Sequence, residues 1–171
     1  MASPSTSDAF SLLGLTPSYE IDSAALEKAY FERSKELHPD RYATAPANER
    51  VAALSKARAL NDAYQTLKKP VPRAEYLLSR AGVTIGDNER LDPDLLMEFL
   101  EQREELAAAR QAGRTAEVAT LQAAMVKRRK AIIALLSGLF ASEDLVNAKK
   151  QLIVLRYLDR YLEECEAALE E

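Results

Sequence analysis

Apolar residues recur along this chain at the three- and four-residue spacing that gathers them on one face of an α-helix. Strand-like alternation is nowhere sustained and β-branched residues are sparse. Ala9 to Leu13 reads as a short helix stopped by Gly14, which accepts the positive φ of a helix end. Asp22 is an N-cap for a helix reaching about Leu37, with Leu26, Tyr30 and Leu37 along one side. His38-Pro39-Asp40 ends that helix, because Pro39 biases the preceding residue away from helical dihedrals. After a polar loop with Pro46, a third helix is predicted from about Asn48 to Lys68, its apolar series being Ala53, Ala57, Leu60, Tyr64 and Leu67. Pro70 and Pro72 end it. Arg73 to Leu78 reads as a short helical connector, and Ser79 to Leu91, with Gly82, Gly86, Asp87 and Asn88, as a loop.

Asp92-Pro93 opens the next helix, since proline in the first turn gives up an N–H that has no partner there anyway. This helix is predicted to run to about Gln111 and to break near Gly113. Thr115 is the expected cap of a following helix to roughly Phe140. Ser142 is the expected cap of the last, with Glu143 and Asp144 at its positive end. The last helix carries Leu145, Ala148, Leu152, Leu155, Leu162 and Leu169, close to a heptad stripe. Three long helices with short links imply an antiparallel three-helix bundle. The reading is therefore all-α: a first helical domain with its connector over 1–78, a linker over 79–91 and the bundle over 92–171.

Composition narrows the function more than the fold. Of 171 residues, 23 are Lys or Arg and 27 Asp or Glu, a net charge of −4, so the concentrated positive field that nucleic acid requires is missing. The one basic run, Lys127-Arg128-Arg129-Lys130, is expected to be a solvated helix face. Cys165 is the single cysteine, which rules out an intramolecular disulfide or a Cys-rich zinc cluster and suits a reducing compartment. Met1 to Asp8 is Ser/Thr-rich without a basic or apolar region, so neither a signal nor a transit peptide is expected there. No apolar run reaches the roughly 18 residues of a membrane span, and a cytoplasmic protein is expected. Enzymatic chemistry has no support: there is no Gly-rich phosphate loop, no metal-ligand set and no nucleophile–base pair. The neighbouring carboxylates Glu104-Glu105 and Glu163-Glu164 diverge on a helix and read as solvated faces. No cofactor and no metal are expected.

His38, the only histidine, sits in a turn between two helices, where geometry exposes it. With Tyr30, Leu37 and Pro39-Asp40 before the third helix, and Asn61, Ala63, Tyr64, Leu67 and Pro70 within and after it, the first half resembles a J-domain. That resemblance implies a helical hairpin whose loop tripeptide, His38, Pro39 and Asp40, contacts a DnaK-type chaperone ATPase and stimulates its hydrolysis of ATP. Basic side chains on and beside the second helix would steer the encounter. Lys28, Arg33, Lys35 and Arg41 are candidates, diluted by Glu32 and Glu36, with Lys35 and Arg41 nearest the turn. Arg33 departs from the leucine of many J-domains.

The second half extends the resemblance. Pro70-Val71-Pro72-Arg73-Ala74-Glu75-Tyr76-Leu77-Leu78, then Leu96 through Leu106, then Leu155-Arg156-Tyr157-Leu158-Asp159 resemble the HscB family of iron–sulfur cluster co-chaperones, in order along nearly the whole chain. This implies that the bundle binds IscU, the scaffold on which clusters are built, and that the J-domain delivers it to a specialised chaperone, HscA. The family's scaffold-binding positions match Leu96, Met97, Leu100, Glu101, Glu104 and Tyr157, while a further acidic position of some relatives reads Ala108. Residue spacing alone leads part of the way. On the helix from Asp92, Leu95, Phe99, Gln102 and Leu106 form one stripe, and Leu96, Met97 and Leu100, flanked by Glu101 and Glu104, form a second that a three-helix bundle does not use. Tyr157 lies about 200° round the last helix from Leu155, away from its main stripe, with Ile153 and Tyr161 near it. Two alternatives stay open: Leu96 stapling onto Leu91 across the cap, with Leu100 packed on the J-domain, and a general J-domain co-chaperone for other or unfolded clients.

Overall fold

The computed structural model describes residues 8–171, so the Ser/Thr-rich stretch up to Ser7 lies outside the described residues. All regular structure among the described residues is helical. No helix is long and apolar enough to cross a membrane. The chain forms two compact units, one ending at Leu77 and the other running from Leu78 to Glu171.

The first unit holds α1 (Ala9–Leu12), α2 (Ser23–Glu36), a 3-10 turn (Pro39–Tyr42), α3 (Ala47–Lys68) and most of α4 (Pro70–Arg80). Gly14 stands at φ +66° just beyond α1, where a side chain would be strained. The Asp22 carboxylate accepts the amides of Ala24 and Ala25 and so caps α2. Phe10, Leu13, Leu26, Leu60 and Leu67 are the buried centre. Across the α2–α3 hairpin the rings of Tyr30 and Tyr64 stack at 4.2 Å, and the Tyr30 hydroxyl donates to Asn61 Oδ1 at 3.2 Å. Arg73 is a buried cation. Its Nε donates to the Tyr19 carbonyl at 2.6 Å and its Nη1 to the Leu67 carbonyl at 2.9 Å, so it satisfies the open end of α3 from the first turn of α4.

Pro70 and Pro72 do stop α3, yet they also open α4, so the helix begins at Pro70 rather than Arg73 and ends at Arg80 rather than Leu78. First-turn amides have no intrahelical partner, which makes both prolines compatible with a helix start. The loop therefore begins at Ala81, and Gly82 takes φ +82°.

The second unit is the bundle of α5 (Pro93–Gln111), α6 (Thr115–Ala141) and α7 (Leu145–Glu170). Two of the expected caps move. Thr115 already lies inside α6, because a link this short after Gly113 leaves Arg114 in the cap position. Ser142 closes α6 instead of opening α7: its hydroxyl donates back to the Gly138 carbonyl at 3.0 Å. Glu143 then turns the chain at φ +56°, and Asp144 caps α7 by accepting the Asn147 amide at 3.2 Å.

Two further expectations are corrected. The basic run is not a solvated face throughout, since Arg128 reaches Glu98 of α5 at 2.8 Å and Arg129 reaches Asp159 of α7 at 2.7 Å; Lys127 and Lys130 alone stay exposed. The buried face of α7 is a broad arc rather than a heptad stripe. Ala148, Leu152 and Leu155 continue into Leu158, Tyr161, Cys165 and Ala168, while Leu169 is exposed. Ile153 and Tyr161, expected on the outer side, are buried. α7 meets two helices and also the loop before α5, which Lys149–Glu89 (3.0 Å) and Arg156 Nη1 to the Gly86 carbonyl (2.8 Å) fasten to it, so one stripe is too narrow.

Candidate functional site

Two surfaces gather the residues singled out in the sequence, one in each unit. In the first, His38 is the extended residue before the 3-10 turn, at φ −60° and ψ 136°, as the following proline demands. Its Nδ1 accepts the Asp40 amide at 3.2 Å and lies 3.5 Å from Asp40 Oδ2. The imidazole thus caps the turn in the manner of an Asx side chain. The side chains of His38 and Asp40 remain 59% and 91% exposed, and Pro39 is exposed with them. Lys35 and Arg41 flank the turn and are exposed too. Lys28, further up α2, is drawn toward Glu32 at 4.0 Å, and the Arg33 guanidinium lies over Gly14.

A groove of about 190 Å³ opens beside the tripeptide, lined by Leu37, Pro39 and Tyr42 on one side and Arg50, Ala53, Leu54 and Ala57 of α3 on the other. Leu54 and neighbouring Val51 are exposed apolar residues that the sequence reading passed over. Both are visible in the sequence as apolar positions off the Ala53–Leu60–Leu67 stripe, but only the folded hairpin sets Leu54 beside the turn.

The second surface lies on the bundle. A helix turns roughly 100° per residue, so with Phe99 at zero Leu96 falls near +60°, Leu100 near +100°, Glu104 near +140°, Met97 near +160° and Glu101 near +200°. Phe99, Leu106 and Ala109 are buried on the facing side, and Leu95 is half-buried. Met97 and Leu100 are 56% and 45% exposed, Glu101 and Glu104 are exposed, and Leu96 is half-buried. Arg103, on the same side of α5 as Leu96 and Leu100, bonds Glu164 of α7 at 2.6 Å, so this flank faces α7. Tyr157 meets it there: its ring stands 5.8 Å from that of Phe99, tilted by 45°, and is half-buried. Leu95, beside Leu96 on α5, lines a groove with Leu91. Leu96, Met97, Leu100 and Tyr157 thus form an apolar patch bordered by two carboxylates. Arg103 was not singled out in the sequence, nor was Arg160, whose guanidinium lies 6.0 Å from the Tyr157 ring centre, and Glu164, read there as part of a solvated face, is half-buried and paired with Arg103. Nothing in their spacing marks them before α5 and α7 are set side by side. No group of three or more potential metal ligands converges among the described residues.

Residues 8–76 match the DnaJ domain family, and residues 91–166 match the HSCB C-terminal oligomerisation domain family. The chain superposes on the chaperone HscB from Vibrio cholerae with a TM-score of 0.81 at 34% identity, covering 94% of this chain and 96% of that one. The chain belongs to the HscB co-chaperone family. It also superposes on human co-chaperone HscB with a TM-score of 0.85 at 28% identity, over 98% of this chain and 84% of that one. The HscB homologue of Vibrio vulnificus strain YJ016 is 48% identical over 99 residues, 57% of this chain. That match spans 58% of the relative's own length, a little over half. In the terms of this family, the first unit is its J-domain and the second its helical C-terminal domain.

Proposed function

We propose that this protein is an adaptor with two docking surfaces. The turn at His38, Pro39 and Asp40, helped by Lys35 and Arg41, engages a DnaK-type chaperone, specifically HscA, and stimulates its ATP hydrolysis. The patch of Leu96, Met97, Leu100, Glu101, Glu104 and Tyr157 holds the iron–sulfur scaffold protein, IscU, and presents it to that chaperone. The work is binding rather than chemistry, and the ATP is split in the partner. Membership of a co-chaperone family and the exposure of the tripeptide support the first contact.

One observation carries the second. Met97 and Leu100 stand in solvent on a helix whose opposite face already fills the core, next to an aromatic ring held by Phe99. A folded monomer gains nothing from that arrangement, whereas a partner that covers it removes apolar area from water. The acidic rim then favours a client with basic groups around an apolar centre.

The test is the triple change Leu96→Ala, Leu100→Ala and Tyr157→Ala, titrated against the purified scaffold by calorimetry. Each anchor lost is expected to weaken binding by about 1–3 kcal/mol, with little change in helicity. Unchanged affinity in a variant of unchanged helicity would reject the patch.

A further inference from the structure

The arginines of the bundle helices differ in what they bond. Arg103, Arg110, Arg114, Arg128 and Arg129 each hold a carboxylate: Glu164, Glu171, Glu117, Glu98 and Asp159 respectively. Arg156 donates to the Gly86 carbonyl. Arg160 is the exception among them. It is exposed, bonds no carboxylate among the described residues, and has its guanidinium carbon 6.0 Å from the centre of the Tyr157 ring. Glu164, four residues onward, is taken by Arg103 at 2.6 Å.

That ring belongs to the apolar patch. Arg160, three positions after Tyr157, borders the patch from α7, whereas Glu101 and Glu104 border it from α5. We propose that Arg160 is a specificity-determining cation that receives a carboxylate of the docked client, so that the patch has a negative edge and a positive edge. This rests on reading the patch as the client's docking surface.

An exposed cation–π contact is weak, so the ring positions the guanidinium without using up its N–H donors. The planar fork that remains matches a carboxylate in two parallel hydrogen bonds, a geometry that lysine does not offer. With charges of opposite sign on the two edges, a client that approaches turned end for end meets like charges on both. Rim charges of this kind act mainly on association rate and orientation.

The experiment is stopped-flow association of the full chain with purified iron–sulfur scaffold protein at low and high ionic strength. Arg160→Glu is expected to slow association roughly tenfold at low salt, and the difference should shrink as salt screens the pair. Arg160→Met, which keeps an apolar stem, should fall between, with a flatter salt dependence than the parent. Arg160→Lys should recover part of the rate. Parental association by Arg160→Glu at low salt, with Tyr157→Ala still weakening the complex, would overturn the role of Arg160 and leave the patch standing. Faster dissociation in Arg160→Glu and Arg160→Met with unaltered salt dependence would also overturn it, showing that Arg160 only props the ring. Full affinity in Tyr157→Ala would remove the docking surface and this inference together.

Discussion

The turn at His38 and the patch around Leu100 are built by opposite means. The turn is a run of consecutive residues held by local bonds, with Nδ1 of His38 on the Asp40 amide and the Arg41 amide on the His38 carbonyl at 3.0 Å. Its chemistry is polar and fully presented. The patch joins Leu96 and Leu100 of α5 to Tyr157 of α7, where the Tyr157 ring packs against buried Phe99 and Arg103 bonds Glu164 across the two helices. The contrast teaches that a polar docking element survives on local geometry, whereas an apolar one depends on the packing beneath it.

If so, changes in the turn should act on one partner alone and changes under the patch on stability and the other partner together. The largest effect is expected at His38. His38→Gln removes the imidazole cap, and ATPase stimulation of the DnaK-type chaperone should be lost while scaffold affinity stays at the parental value. Equal loss of both activities would break the division. Phe99→Ala comes next. Deleting a buried aromatic costs about 3–5 kcal/mol, and here it also takes away the support of Tyr157. Urea denaturation should show a lowered midpoint for the bundle, and the scaffold should bind more weakly even where the variant remains folded. Parental scaffold affinity would show that the patch does not rely on its underlayer.

The smallest effect concerns pH and sharpens what lies beneath the patch. Burial, and then the nearby charges of Cys165, Glu105 and Glu164, push the Tyr161 phenol up from 10.0 to about 12. A raised folded value means that the neutral phenol contributes stability below pH 10 and that this is lost as pH rises from about 10 to about 12. The hydroxyl makes no hydrogen bond among the described residues. Tyr161→Phe should therefore keep parental stability at pH 7 and show a shallower fall in melting temperature between pH 9 and 11.5. An identical alkaline decline in both proteins would contradict this.

Much of the architecture was legible in the sequence, because helix punctuation is local chemistry. Asp22, Gly14, Pro93 and Gly113 act within a turn of where they stand, and the extended backbone of His38 follows from Pro39. The misread caps, Thr115 and Ser142, share a cause: in links of three residues the first position closes one helix and the last opens the next, so an error of one or two positions changes a residue's role, and the positive φ of Glu143 was not visible beforehand. The fate of the basic run was equally hidden, since Glu98 lies 30 positions before Arg128 and Asp159 30 positions after Arg129.

Periodicity could separate the two faces of α5, because the angle between residues on one helix is set by the backbone. It could not say which neighbour α7 turns toward which face, and so it sent Tyr161 outward and left Arg160 unnoticed. Residue spacing thus settles what each helix offers. Which offers are spent inside the molecule, and which stay open to a partner, depends on contacts between residues far apart in the chain, and only the packed bundle decides them.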